Sequence, residues 1–342
     1  MDNFILKNEN SIYYECGYSC DNVIFLKLGR DKFFLTDSRY IIEAKAKVKN
    51  TKVIQSNNLI KDTQNILKKS NIKKLVFDGA DITYETYKIL SQDLKIQFIN
   101  RPNFSRIKRM IKNDDEIKLL KKAATIGKYG FKSLASYIKE KGDNKTEKEL
   151  YFKAIENMSQ KGKFDLSFNP IVAINQNSAK PHALPTSKVL KQNDILLVDA
   201  GVKYKRYCSD RTCVSLVDFD TFNFTRKQKF NKKKYQKIYD IVLKAQQYAI
   251  KNAKVGMKAS QIDALSRNII QKAGYSKYFI HSTGHGVGLD IHEYPFINSK
   301  NSDTIIENNM VFTIEPGIYL ENEFGIRIED TIVMQNGKAV IL

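Results

Sequence analysis

The sequence predicts an α+β protein of two domains, in which a larger C-terminal domain carries an internal duplication. Three observations support this prediction. A length of 342 residues is typical of two domains. Over roughly the first hundred residues, short apolar runs alternate with helical patterns, as in an α/β layer. Further along the chain, two helical segments followed by strand-like segments occur twice in succession.

The smaller N-terminal domain, residues 1–110, is expected to form an α/β layer with a largely parallel sheet. Apolar runs predict strands over 22–28, 32–36, 51–55, 73–79 and 95–100. Helical periodicity predicts helices over 38–48, 59–70 and 83–94. These segments contain no cluster of residue types typical of catalysis.

The C-terminal domain, residues 111–342, begins after Pro102 and a run of charges interrupt the first pattern. Helices are predicted over 116–138, 146–162 and about 231–253, and strands over 169–175 and 194–202. The second of these helices opens with a capping box from Thr146 to Glu149. The duplication is inferred from the order of the elements, because the two halves share no repeat of residues.

The net charge of +20 does not predict a nucleic-acid partner. Ten of the 57 basic residues are arginine, the residue that phosphate and base contacts favour, and the lysines are scattered along the chain. No apolar stretch approaches the roughly 20 residues that a membrane span needs. Since the N-terminus lacks the pattern of a signal peptide, we expect a cytoplasmic protein with no nucleic-acid and no membrane partner. Its four cysteines are then expected to be reduced structural thiols: Cys16, Cys20, Cys208 and Cys213.

The segment HSTGHGVGLDIHE, residues 281–293, holds three of the four histidines of the chain. A single histidine is more often a satisfied core or surface residue than a ligand. Three at this spacing, among glycines that let the backbone come close to a ligand, favour a functional site. His285 lies within GHGVG, between His281 and His292.

Two aspartates are predicted to face each other in the first hairpin of the C-terminal domain. Asp199 lies in an apolar strand, and Asp210 follows eleven residues later. A turn at Tyr204 and Lys205 would place the two carboxylates directly opposite each other, with Cβ atoms about 4.5–5.5 Å apart. Like charges so arranged are destabilising unless something positive lies between them.

A second acid pair is predicted near the C-terminus. A three-residue loop centred on Asn322 sets Glu315 opposite Glu329, and Arg327 shares their face. Either hairpin alone is compatible with a pair of surface acids. Together with the histidine segment, they predict one cleft in which four carboxylates and an imidazole form an oxygen-rich ligand set. Such a set suits a pair of divalent first-row metals better than one tetrahedral zinc.

These residues together resemble the pita-bread metallopeptidase family, which includes aminopeptidase P, prolidase and methionine aminopeptidase. The motifs run from Asn169 to Glu329, and roughly the first hundred residues resemble the family's creatinase-type N-terminal domain. The resemblance implies a pita-bread catalytic domain with a pseudo-twofold duplication, in a homodimer. It also implies two divalent metal ions per chain, with manganese favoured and cobalt or zinc as alternatives.

The metal ligands implied by the resemblance occur here in the family's order and spacing. They are Asp199, Asp210, His285, Glu315 and Glu329. Asp210 and Glu329 are expected to bridge the two metals. A water between the metals would lose its proton near neutral pH and attack the scissile carbonyl, and Glu315 would carry that proton towards the leaving nitrogen.

The resemblance also assigns the remaining histidines. His182 and His292 match histidines that act on the transition state and contact the substrate, and His281 matches another that lines the substrate pocket. Arg327 is expected to contribute to the same pocket. All four histidines of the chain then belong to one site.

Two departures from the family pattern bear on substrate preference. Family members often read Asp-x-Thr-Arg-Thr after the second aspartate, and this chain has Cys213 at the arginine position. Arg211 is expected to point to the other face of the strand. In the segment before His182, NQN at 175–177 replaces a glycine, and asparagine tolerates the positive φ that such a turn requires.

The resemblance therefore predicts an exopeptidase that cleaves between an N-terminal residue and a following proline, as Xaa-Pro aminopeptidases do. Its substrates would be peptides with proline at the second position. An Xaa-Pro dipeptidase, or prolidase, is the alternative. A methionine aminopeptidase is disfavoured by the N-terminal domain and by Arg327. A non-catalytic binding protein on the same fold is disfavoured by the presence of all five ligands.

Overall fold

The computed structural model describes residues 3–342, which form two compact units that divide between Lys108 and Arg109. Within the described range, no helix has both the length and the apolar composition that crossing a membrane requires. The cysteines are buried free thiols, in agreement with the prediction from the sequence.

The N-terminal unit is an α/β layer. Its strands are β1 (Asn3–Leu6), β2 (Val23–Leu28), β3 (Asp31–Thr36), β4 (Lys52–Gln55), β5 (Lys74–Phe77) and β6 (Gln97–Asn100). Its helices are α1 (Glu9–Cys16), α2 (Ile41–Lys47), α3 (Leu59–Lys69), α4 (Tyr84–Ser91) and α5 (Phe104–Lys108). Over residues 3–108 these strands form one sheet, in the order β4-β3-β2-β1-β5-β6.

The prediction of a largely parallel sheet is wrong for the first three strands. β1 pairs with β2, and β2 with β3, in antiparallel orientation, while the remaining pairs are parallel. The two-residue connection from β2 to β3 allows only a hairpin, and Gly29 takes a φ of +60° there. Neither β1 nor α1 was predicted from the sequence.

The C-terminal unit repeats a pair of helices followed by strands, as the sequence predicts. Its helices are α6 (Asp114–Lys141), α7 (Glu147–Ser159), α8 (Lys233–Asn252) and α9 (Ala259–Lys272). The strands after α7 are β7 (Ile171–Ile174), β8 (Ile195–Asp199), β9 (Lys203–Tyr204), β10 (Tyr207–Cys208) and β11 (Thr212–Leu216). Those after α9 are β12 (Gly284–Gly286), β13 (Glu293–Ile297), β14 (Val311–Ile314), β15 (Gly317–Leu320), β16 (Phe324–Arg327), β17 (Asp330–Gln335) and β18 (Lys338–Ile341).

Helix α7 begins with the predicted capping box. The Thr146 hydroxyl accepts a hydrogen bond from the Glu149 N–H at 3.2 Å, and Glu149 Oε2 accepts one from the Thr146 N–H at 2.8 Å. These bonds satisfy two backbone donors that the first turn would otherwise leave open.

Strand β8 is buried on both faces, and this burial fixes the position of Asp199 at its end. Leu196 and Val198 pack in a core formed with α6 and α7, whereas Ile195 and Leu197 pack in a second core that includes residues of α8 and β16. β8 lies between β11 and β7 in one sheet. A second sheet has the order β13-β12-β14-β17-β18.

The first hairpin turns one residue later than predicted. Asp199 pairs with Thr212, and the turn residues are Lys205 and Arg206, whose φ angles are 47° and 71°. Asp199 is therefore not directly opposite Asp210. Because Asp210 precedes Thr212 by two positions, it continues on the same face as a diagonal neighbour of Asp199.

The second hairpin has the predicted register. The pairing of β15 with β16 sets Gly317 opposite Arg327, and the pairing of β14 with β17 continues the same alignment. Glu315 and Glu329 thus occupy opposing positions between the two strand pairs. Asn322 lies at the tip with a φ of 60°, a conformation that asparagine tolerates better than most residues.

Candidate active site and metal centre

One cavity of about 640 Å³ in the C-terminal unit is lined by every site residue that the sequence predicts. They are His182, Asp199, Asp210, His281, His285, His292, Glu315, Arg327 and Glu329. The strand ends and connections around β8, β11, β12, β14 and β16 bring these side chains together, although up to 147 positions separate them in the sequence.

The ligand atoms converge on His285. Asp210, His285 and Glu329 each offer an atom within 4.8 Å of the others. His285 Nε2 lies 3.3 Å from Glu315 Oε1 and 3.6 Å from Asp210 Oδ2. An imidazole and three carboxylates therefore point at one another inside the protein.

The neutral state of His285 makes the close approach of its ring to the carboxylates unfavourable unless a cation lies between them. His285 Nδ1 lies 3.1 Å from the Gly286 carbonyl oxygen, and because a carbonyl can only accept, Nδ1 carries the hydrogen. Burial lowers the pKa of His285 to about 3, so the ring is neutral. Its Nε2 then directs a lone pair at carboxylate oxygens, an arrangement that a metal ion between them would stabilise.

The carboxylates also require positive charge. Burial, followed by the charge of Glu329, raises the pKa of Asp210 well above its usual range. Burial and the charge of Glu315 do the same for Glu329, and burial raises the pKa of Glu315 to about 7. The site therefore holds either protons or cations on these groups.

Two buried carboxylate oxygens have no hydrogen-bond partner among the described residues. Asp199 accepts from Arg327 Nη2 at 2.7 Å through Oδ2, and its Oδ1 is left without a partner. Glu329 Oε2 accepts a hydrogen bond from the Thr212 hydroxyl at 2.6 Å, and Glu329 Oε1 also has no hydrogen-bond partner. Oxygens with unused lone pairs, next to a neutral imidazole, fit the preferences of divalent first-row metals.

Tyr319 is a site residue that the sequence reasoning missed. Its hydroxyl accepts from Arg327 Nη1 at 2.9 Å and lies 2.9 Å from His281 Nε2, while His281 Nδ1 lies 2.7 Å from the Ser282 carbonyl. Two residues that line the cavity, Arg327 and His281, are therefore joined by hydrogen bonds through Tyr319. The signal was present, because Tyr319 shares its strand face with Glu315 by the alternation of side chains.

His292 lies beside the candidate metal ligand His285 and next to a buried ion pair. Its ring centroid is 4.2 Å from that of His285, with the rings nearly perpendicular. The following residue, Glu293, is 1% exposed and binds Lys112 Nζ at 2.6 Å and Arg109 Nη2 at 3.3 Å. These contacts fix the backbone from which His292 reaches the cavity.

The remaining wall of the cavity is largely apolar. It includes Phe168, Ile171, Leu184, Ile291 and Phe296. These residues fit the apolar ring of a proline or an apolar side chain, but nothing in their local sequence distinguishes them from core residues. Within the segment 175–177, Asn175 takes a φ of 49°, a conformation that asparagine tolerates better than most residues.

Comparisons with known proteins agree with this geometry. Residues 118–336 match the model of metallopeptidase family M24, and residues 1–111 match that of the creatinase/prolidase N-terminal domain. The structure of an Xaa-Pro dipeptidase from Bacillus anthracis is 33% identical, has a TM-score of 0.90, and the match covers 99% of this chain and 92% of that one.

Two further structures give similar matches. A prolidase from Pyrococcus furiosus is 30% identical with a TM-score of 0.86, over 100% of this chain and 96% of that one. An X-Pro aminopeptidase from Thermotoga maritima is 29% identical with a TM-score of 0.86, over 100% and 95% of the two chains. The chain thus belongs to metallopeptidase family M24, as an enzyme with the pita-bread fold and a creatinase-type N-terminal domain.

Proposed function

We propose that this chain uses divalent metal ions to hydrolyse the bond between an N-terminal residue and a following proline, with Xaa-Pro dipeptides as its substrates. The supporting observation is the single cavity that combines an acid-rich ligand set, three further histidines and an apolar wall. The Bacillus anthracis and Pyrococcus furiosus relatives are named as a dipeptidase and a prolidase. Their names favour dipeptides over the longer peptides that an Xaa-Pro aminopeptidase would cleave.

In this proposal, two divalent ions are held by Asp199, Asp210, His285, Glu315 and Glu329, and manganese is the preferred metal. Bound ions would supply the activation of a water molecule and the polarisation of the scissile carbonyl. Glu315 lines the cavity, with Oε1 3.3 Å from His285 Nε2, so its carboxylate is placed to accept the proton that the activated water gives up. We assign it the transfer of that proton to the leaving nitrogen of proline.

The exposed histidines of the cavity act on the substrate in this proposal. His182 and His292 are both exposed at the cavity, so each can reach a bound peptide. We assign them to hydrogen bonds with the oxyanion that develops on the scissile carbonyl. His281 is held by Tyr319 and contributes to the shape of the pocket.

Xaa-Pro aminopeptidase activity on longer peptides is the second candidate. Among the described lining residues, Arg327 is the lone lysine or arginine, and its guanidinium already donates to Asp199, Tyr319, Thr212 and the Pro181 carbonyl. No other fixed cation in the described lining is positioned to bind the free carboxylate of a dipeptide. A longer peptide would not require one.

The experiment is hydrolysis of Ala-Pro, Ala-Pro-Ala, Ala-Ala-Ala and Met-Ala-Ser by the manganese-loaded protein. We expect a proline substrate to be cleaved at least about tenfold faster than Ala-Ala-Ala, a difference of about 1.4 kcal/mol in transition-state binding. Preference for Ala-Pro supports the dipeptidase, and preference for Ala-Pro-Ala supports the aminopeptidase. Efficient cleavage of Met-Ala-Ser with both proline substrates untouched would overturn the proposal.

A matched pair of variants tests the metal site in the same assay. Asp210→Asn removes a charged ligand from the cavity with little change in shape. Glu321→Gln makes the corresponding change at an exposed carboxylate outside the cavity. We expect Asp210→Asn to lose bound manganese and nearly all turnover, and Glu321→Gln to retain both.

A further inference from the structure

The candidate ligands belong to two separate sheets. Asp199 and Asp210 lie on the hairpin of β8 and β11, whereas His285, Glu315 and Glu329 come from the strands of the second half of the unit. The distance between a ligand on one sheet and a ligand on the other depends on whatever connects the two. One such connection joins Thr212, two residues after Asp210, to Glu329.

Arg226 joins these two backbones. It lies in the loop between β11 and α8, and its guanidinium donates from Nη2 to the Glu329 carbonyl at 2.7 Å and from Nη1 to the Thr212 carbonyl at 3.3 Å. The Thr212 carbonyl also accepts the Glu329 N–H at 3.2 Å. The Arg226 side chain therefore holds the backbone of Glu329, a candidate ligand, next to the start of β11, which directly follows the candidate ligand Asp210.

Arg226 is itself fixed from several directions. Its Nη2 lies 2.8 Å from Asp330 Oδ2, and the same oxygen accepts from Gln246 Nε2 at 2.8 Å. The Arg226 carbonyl accepts the Tyr239 hydroxyl at 3.2 Å. Because Gln246 and Tyr239 are buried residues of α8, the guanidinium is anchored to a rigid element. Its planar fork can donate to two carbonyls and a carboxylate at once, which neither glutamine nor lysine can reproduce in full.

We propose that Arg226 is a positioning residue that sets the separation of Asp210 and Glu329, and with it the affinity of the site for metal ions. This inference rests on the proposed metal site. Arg226 contacts no ligand oxygen of the cavity and acts through the backbones of Thr212 and Glu329.

Cys213 provides an independent way to test the inference. Its thiol lies behind the ligand-bearing face of β11, among the charges of Arg211, Arg226 and Asp330. It also occupies the position at which the resemblance expects arginine. A guanidinium introduced there would enter the same cluster from the strand instead of from the loop. Cys213→Arg should therefore replace part of the function of Arg226.

The experiment compares wild type, Arg226→Gln, Arg226→Lys and the double variant Arg226→Gln/Cys213→Arg. The control is Arg106→Gln in the N-terminal unit, where a guanidinium whose side chain is 20% exposed binds Asp81 at 2.8 Å. The side chain of Arg226 is 22% exposed, so the two variants remove similarly buried ion pairs. Each protein is titrated with Mn²⁺ by calorimetry, and hydrogen exchange of segments 207–216 and 324–333 is measured after chelation.

We expect Arg226→Gln to raise the Mn²⁺ dissociation constant at least about tenfold and to speed exchange in both segments. Arg226→Lys and the double variant should recover part of each loss, and Arg106→Gln should change neither. The inference is overturned if Arg226→Gln has the Mn²⁺ affinity and the hydrogen exchange of wild type. It is also overturned if Arg106→Gln loses as much Mn²⁺ affinity and exchange protection as Arg226→Gln. Wild-type protein that binds no Mn²⁺ would instead refute the proposed function. In that case, exchange in the chelated proteins still decides whether Arg226 holds the two segments together.

Discussion

Arg327 holds a candidate metal ligand on each sheet. It donates to Asp199 Oδ2 at 2.7 Å and to the Thr212 hydroxyl at 3.0 Å, and that hydroxyl donates to Glu329 Oε2 at 2.6 Å. With 4% of its surface exposed, Arg327 is the positive charge that the protein itself supplies to the acid cluster. One oxygen of Asp199 and one of Glu329 remain without a hydrogen-bond partner, and these oxygens are available to the proposed metal ions.

Replacing Arg327 with methionine should therefore weaken both the site and the fold. Asp199 would remain buried without its partner, at a cost of about 3–5 kcal/mol in the free energy of unfolding of the metal-free protein. We expect kcat/KM to fall by at least about 100-fold. Urea denaturation after chelation measures the first effect. The structure indicates that the two side chains are coupled. This would be contradicted if the double variant Arg327→Met/Asp199→Asn lost as much free energy of unfolding as the two single variants added together.

The histidines should separate into two classes. His285→Ala should lose bound manganese, because its Nε2 points at the ligand oxygens. His182→Ala and His292→Ala should retain metal and lose orders of magnitude in kcat, because we assign them to the transition state. Metal content by atomic absorption and steady-state kinetics distinguish the classes. Equal metal loss in all three variants would contradict these assignments.

Manganese binding should weaken as the pH falls below about 7. Burial raises the pKa of Glu315 to about 7 and raises the pKa of Asp210 well above its usual range, so both carboxyls must release protons when a cation binds. The pKa of His285 is lowered to about 3 by burial, so His285 does not compete over this range. One group with a pKa near 7 predicts about a tenfold loss of affinity between about pH 8 and about pH 6.

Calorimetry in two buffers with different ionisation enthalpies measures this proton release directly. At about pH 6 we expect at least about one proton released per chain on binding. Affinity that is independent of pH over this range, or net proton uptake, would show that the carboxyls are already ionised in the metal-free protein.

The ion pair behind His292 should contribute to both stability and catalysis. Lys112 and Glu293 are each 1% exposed, and Lys112→Met leaves the carboxylate with a single basic partner, Arg109. We expect a loss of about 3 kcal/mol in the free energy of unfolding and a lower kcat with little change in metal content. Lys118→Met is the control, since it removes an exposed ion pair with Asp115. Similar losses in both variants would contradict a specific role for the buried pair.

Local sequence determined much of the second hairpin. Its polar tip and Asn322 specify the loop, and the alternation of side chains then sets Glu315 opposite Glu329 with Arg327 on the same face. The capping box at Thr146 and the succession of helix pairs and strands are equally local. The capping box and the individual helices and strands each follow from patterns within a short stretch of the chain, and their order along the chain gives the succession.

The first hairpin shows where local patterns fail. Lys205 and Arg206 both adopt a positive φ, although neither residue type favours it, so the sequence around the turn gave no signal. Gly201 supplied a constraint visible only in three dimensions, because a Cβ there would come within 1.9 Å of the Ser209 carbonyl oxygen. Such an approach is fixed by packing. In the register that the hairpin adopts, Asp210 is a diagonal and not a direct neighbour of Asp199.

The sequence by itself determined which side chains to expect in one cavity, since the five candidate ligands and the three other histidines are recognisable by type, order and spacing. Only the tertiary structure decided what holds them in place. Arg226 reaches Glu329 across 103 positions, Arg327 reaches Asp199 across 128, and Lys112 reaches Glu293 across 181. No local periodicity relates residues so far apart, because their contacts arise when separate sheets and helices pack together, and that packing is a property of the whole chain.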